Sequence, residues 1–216
     1  MSAKESRMGQ LLEKLLAHET KQCEARKQPL PKFNNPASDE EIRELERLVG
    51  VHLPADYKDL VKVTNGAQNF TLIGWRFCSV AEAAEIWKDN SEQYPQSSSM
   101  TKQKDLRIDN TPDRGTTPQV KKNHWNDKWV PVFYAPRNHN YICMDFDPAP
   151  GGTPGQLIGY HSGVYRGQIS KTLFEGFARI AKDKLSETMA KPKNDEPSWV
   201  DWMVSKVVDA FKPRQK

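Results

Sequence analysis

Two carboxylates one residue apart, Asp145 and Asp147, follow the apolar run Tyr141-Ile142-Cys143-Met144. Carboxylates at the end of a strand can hold a hard cation or support phosphoryl transfer, so a metal-dependent enzyme using Asp145 and Asp147 is one reading. A hard-cation site usually needs about six oxygen ligands, and a lone Asp-x-Asp supplies few of them. The dehalogenase-type phosphatase pattern also wants a small hydroxyl residue two places after the second Asp, where this chain has Ala149. The simpler expectation is that both side chains accept hydrogen bonds from loop amides as Asx turns.

The loop that follows, Pro148-Ala149-Pro150-Gly151-Gly152-Thr153-Pro154-Gly155, holds three prolines and three glycines and runs into Gln156-Leu157-Ile158-Gly159-Tyr160. Proline fixes φ and glycine tolerates positive φ, so such a loop turns tightly and holds a defined surface. It lacks the lysine of a phosphate loop, and a strand follows it where a helix N-terminus would be required. Nucleotide binding is not supported. His52, His124, His139 and His161 are scattered, and none stands in a recognisable pattern with Cys143, which reads as a small buried hydrophobe inside a strand. Trp75, Trp125 and Trp129 are either core residues or an aromatic contact surface.

Regular elements must position this loop. Leu11, Leu12, Leu15 and Leu16 mark an amphipathic helix of about four turns or fewer. Ser38 followed by Glu41 is a capping box opening a helix with Ile42, Leu45, Leu48 and Val49 on one side. A third helix is expected to begin at Pro54, bury Tyr57, Leu60 and Val61, and stop at a left-handed Asn65-Gly66. A strand region over residues 70–77 precedes a short helix capped by Ser79. Residues 89–122 are polar and poor in large apolar side chains, which predicts a long exposed loop. Residues 125–134 read as one strand bounded by Pro131 or Pro136, Arg137 to Asn140 as a turn, and Ser170 as the cap of a core helix carrying Leu173, Phe174, Phe177 and Ile180. Trp199, Trp202, Met203, Val207 and Phe211 share one face of a last helix.

The chain has 216 residues and a formal charge of +4. Residues 1–32 carry seven Lys and Arg against four Asp and Glu, residues 191–216 six against four, and residues 33–190 nineteen against twenty. The basic excess therefore sits on the ends, which argues against nucleic-acid binding, where a basic stripe on the folded body is expected. Three cysteines without metal-ligand spacing indicate neither a disulfide framework nor a zinc site. The polar start and the lack of an apolar run of roughly 20 residues support neither a cleaved signal nor membrane insertion, and a cytoplasmic location is expected.

Four stretches, in order, resemble the SUKH superfamily, named in part for fungal Smi/Knr cell-wall-assembly regulators and including many bacterial toxin-immunity proteins. They are Ser38-Asp39-Glu40-Glu41-Ile42, Val49 to Tyr57 with Thr64-Asn65-Gly66, Trp129-Val130-Pro131, and Met144 to Pro148 with Gly151 to Gln156. The likeness spans about Ser38 to Lys184. It implies an α+β domain, a twisted, mostly antiparallel sheet packed by several helices, here placed at residues 33–190; the helical extensions at 1–32 and 191–216, read from their apolar spacing, lie outside the likeness. It also implies protein binding without catalysis, metal or cofactor. The expected partner is a cognate toxin occluded stoichiometrically or, alternatively, a signalling protein held by a scaffold of cell-wall assembly. Candidate contact residues are Trp75, Trp125, Trp129, Asp145, Asp147, Gly155 and Gln156.

Overall fold

A computed structural model describes residues 3–68, 71–72, 75–94, 117–135, 140–161 and 165–186. The helix foreseen at the leucine-rich start is α1 (Arg7–Ala25), 19 residues and so longer than four turns. Ser6 caps it by accepting the Gly9 N–H. Helix α2 (Asp39–Val49) opens on the foreseen capping box: the Ser38 hydroxyl accepts the Glu41 N–H, and the Glu41 carboxylate accepts the Ser38 N–H at 2.7 Å. It closes on Gly50 in the left-handed conformation. In α3 (Ala55–Val63), Pro54 is the extended residue before the first turn, one place earlier than expected.

Asn65-Gly66 does not stop α3, because Thr64 already leaves the helix in an extended conformation. Asn65 is instead a buried junction. Its side-chain oxygen accepts the N–H of Val80, the first residue of α4 (Val80–Gln93), at 2.7 Å, and its amide donates to Glu41. Asn34 in turn donates to the Asn65 carbonyl, so the start of α2, the end of α3 and the start of α4 meet at one side chain. Helix α4 carries the second capping box, Ser79 with Glu82, and continues to Gln93.

The strands β1 (Thr71–Leu72), β2 (Trp75–Phe77), β3 (Trp129–Ala135), β4 (Asn140–Asp145), β5 (Gln156–His161) and β6 (Tyr165–Ser170) form one sheet in sequence order. Every neighbouring pair is antiparallel. The α+β architecture is therefore the observed one. Strand β3 begins at Trp129, not Trp125, and contains Pro131 instead of ending there; the register shifts between Pro131 and Phe133. A bulge is where a central strand accommodates a residue with no N–H. Strand β6 was not foreseen, and Ser170 ends it. The cap of α5 (Leu173–Ser186) is Thr172, whose hydroxyl accepts the Glu175 N–H.

The alternation of a strand divides the interior in two. Ile142 and Met144 enter the larger core with residues of α1, α2, α3 and α5, while Tyr141 and Cys143 enter a second core on the other face with Trp125, Trp129, Ile158 and Tyr160. Met8, Leu12 and Leu15 of α1 belong to the larger core, packed on α3 and α5. The end of the polar stretch is not wholly exposed: Thr117 and Val120 are buried, the latter in the aromatic core. Thr117 also covers the β6 edge, donating its N–H to the Arg166 carbonyl and accepting the Gln168 N–H. The turn at 137–139 and the tryptophan-bearing helix expected beyond residue 196 lie outside the described residues. Among the described residues no helix is long and apolar enough to cross a membrane.

Candidate binding loop

The loop between β4 and β5 is built from its root outward. Asp145 and Gln156 are paired across the two strands and fully buried. One oxygen of Asp145 accepts the Asp147 N–H at 2.9 Å, the expected Asx turn, and the other accepts the Gln156 side-chain amide at 2.9 Å. The same Gln156 amide donates to the Gln119 carbonyl, and its oxygen accepts from the Thr153 N–H and from the Gln168 side chain. Gln156 thus makes four hydrogen bonds, which is what a buried amide requires to offset its desolvation.

Asp147 departs from the expected Asx turn. Its carboxylate is half exposed and receives the Lys121 ammonium on one oxygen and the Asn126 amide, at 3.0 Å, on the other. Lys128 beside it reaches the carbonyls of Val49 and Gly50, tying the loop root to the end of α2. Burial pushes the Asp145 carboxyl above the usual carboxylate range, helped by the Asp147 charge and opposed by the Gln156 and Asp147 hydrogen bonds. The Trp129 indole N–H adds a weaker pull on Asp145 but falls short of hydrogen-bond geometry. For Asp147 burial acts upward, but the hydrogen bonds from Lys121 and Asn126 and the charges of Lys121 and Lys128 outweigh it, and its carboxyl lies below the usual range.

The loop is stiff for a countable reason. Of its amides, those of Phe146, Asp147, Ala149, Gly152, Thr153 and Gly155 all donate within the protein. Gly155 has φ +83°, and its N–H reaches the Asp145 carbonyl at 2.7 Å, closing the loop on its own root. A Cβ on Gly152 would stand 2.5 Å from Pro148 and 2.7 Å from the Gln119 carbonyl, so the chain crosses there only without a side chain. Pro150, Gly151, Thr153 and Pro154 are exposed at the tip.

The seven candidate contact residues therefore divide. Trp75, Trp125 and Trp129 are buried at 3 % exposure or less and cannot touch a partner in this conformation. Trp125 and Trp129 stack edge to face with each other behind the sheet, and Trp125 meets Tyr160 the same way. They are the rigid backing of the sheet that carries the loop. Asp145 and Gln156 are the lock beneath the loop, and Asp147 and Gly155 reach the surface in part. Gln119, Lys121, Asn126 and Gln168 hold the loop and were missed by sequence reasoning. The polar Asn126-Asp127-Lys128 between two tryptophans was the available signal for one of them.

A sequence model of the SMI1/KNR4 family (SUKH-1) matches residues 36–179. The chain belongs to the SMI1/KNR4 (SUKH-1) family. The SUKH-1 segment includes the loop, its lock and the Asn65 junction, while α1 precedes it although its side chains complete the larger core. No curated protein matches the chain.

Proposed function

We propose that this SUKH-1 chain is a non-enzymatic protein-binding domain that neutralises a cognate toxin by stoichiometric occlusion. The observation that carries the reading is the 145–156 lock. Both carboxylates of the candidate enzyme site are engaged by internal donors, and the bonds they accept support a rigid projecting tip, a surface preorganised for docking. Preorganisation matters because an inhibitor acts by affinity, and a loop that is already ordered does not lose conformational freedom on binding. Among the described residues no group of three or more His, Cys, Asp or Glu is placed to hold a metal ion.

The test is purification of the tagged full chain from its host, with Pro150→Trp and Thr153→Arg variants that reshape the tip without touching the lock. One co-purifying protein in a 1:1 complex, whose inhibition of cell growth is abolished by the wild type and restored with the variants, is the expected result. Several weakly held partners insensitive to the tip would overturn the occlusion reading in favour of a scaffold of cell-wall assembly.

A further inference from the structure

The tip of the loop has an unusual hydrogen-bonding balance. Three of its residues, Pro148, Pro150 and Pro154, have no N–H, and the other amides except that of Gly151 donate internally. The carbonyls of Pro150, Gly151 and Pro154, all on exposed residues, accept no hydrogen bond among the described residues. Open space surrounds the Gly151 α-carbon, since a Cβ built there meets nothing within 4 Å. The tip carries no ionisable side chain, and at its base the Asp147 charge is balanced by Lys121. Against these acceptors the tip offers as donors only the Gly151 N–H and the Thr153 hydroxyl, which also accepts, so the surface has more acceptors than donors and is locally neutral.

We infer that the loop tip selects a protein partner whose docking patch presents N–H donors, arginine guanidinium groups above all, to the carbonyls of Pro150, Gly151 and Pro154. This inference rests on the occlusion reading and names the chemistry its partner must carry. The reason is the asymmetry of desolvation. A partner face lined with carboxylates or carbonyls would bury lone pair against lone pair and leave both unsatisfied, whereas a face of donors satisfies each acceptor it covers. Arginine fits best because its planar fork supplies several donors in fixed directions. Lysine and backbone N–H groups satisfy the same acceptors singly. Selection here comes from donor geometry and not from net charge, which is the point on which the idea can fail.

The test follows amide resonances of the full chain while adding short peptides. The first is acetyl-Gly-Arg-Gly-Arg-amide. The second has the same charge but trimethyl-lysine in place of arginine, so its head groups have no N–H. The third carries glutamate. Saturable shifts at Gly151, Gly152, Thr153 and Gly155 are expected with the arginine peptide, at an affinity at least about tenfold above that of the trimethyl-lysine peptide. The Thr153→Arg variant, which places a donor-bearing cation on the tip, is expected to lose the response while its remaining spectrum stays unchanged. Equal responses to the two cationic peptides, shifts centred on the acidic start of α2, a stronger response to glutamate, or no saturable shift at the tip would each overturn the inference. The occlusion reading fails separately, through the growth assay, since a peptide response at the tip does not depend on a toxin being present.

Discussion

At the scale of single residues, Gln156 is fully buried and its side chain makes four hydrogen bonds. Replacing it with alanine strands the Asp145 oxygen, the Thr153 N–H and the Gln168 amide, and leaves the Gln119 carbonyl with the Ala149 N–H alone. A loss of about 2–4 kcal/mol in urea-induced unfolding is expected, with no such loss for the exposed Thr153→Ala. Gln156→Glu is more informative because it sets a second carboxylate against the buried Asp145. Both acids then sit above their unfolded values, so the variant is expected to recover stability as pH falls from about 7 to about 5, opposite to the usual acid response. Unfolding midpoints across that range check it. Gly66 makes a separate claim: φ is +83°, and a Cβ would lie 2.7 Å from the Ser79 nitrogen. Gly66→Ala is expected to cost more than about 2 kcal/mol and to loosen the start of α4, read by hydrogen exchange at Val80 and Ala83.

At the scale of elements, the corner between α2 and α3 depends on Glu46. Its carboxylate accepts the Leu53 N–H and the Lys58 ammonium, each at 2.8 Å, and lies below the usual range because those bonds, with the charges of Lys58 and His52, outweigh burial. A depressed carboxylate contributes stability above its unfolded value, about 4.3, and that contribution is lost as pH falls through its lower folded value. Glu46→Gln is therefore expected to destabilise at pH 7 by about 1–2 kcal/mol, with the difference from the wild type shrinking as pH falls through the lowered folded value. Helix α1 lies before the family segment yet fills the larger core, and Leu15→Ala is expected to cost about 2–5 kcal/mol in the same assay. The elements legible in the sequence were those with local signatures. Ser38 with Glu41 and Ser79 with Glu82 announce helix starts within four residues. Strand β6 was not legible, because Arg166, Gly167 and Gln168 give it no apolar alternation, and the burial of Arg166 depends on distant residues, the ring of Tyr160 and the carbonyl of His124 among them. Pro131 read as a boundary because the bulge that tolerates it exists only once β4 is paired.

At the scale of the whole molecule, the sheet separates a large mixed core under the helices from a smaller, aromatic-rich core on its other face. That division decides what the tryptophans do. The sequence favours core over contact surface for most of them, and all three are buried: Trp75 in the core under the helices, Trp125 and Trp129 in the aromatic core on the other face. The loop itself was legible as rigid from its prolines and glycines. Its lock was not, because Gln119, Gln168 and Asn126 come from distant segments and one of them from a stretch whose composition argued for an exposed loop. Hydrogen–deuterium exchange of the co-purified complex against the free chain tests the central claim most directly. New protection confined to the tip around Gly151, with the internally hydrogen-bonded amides of the lock unchanged, is the expected result. Protection that leaves residues 146–156 untouched and appears on other surfaces would contradict it.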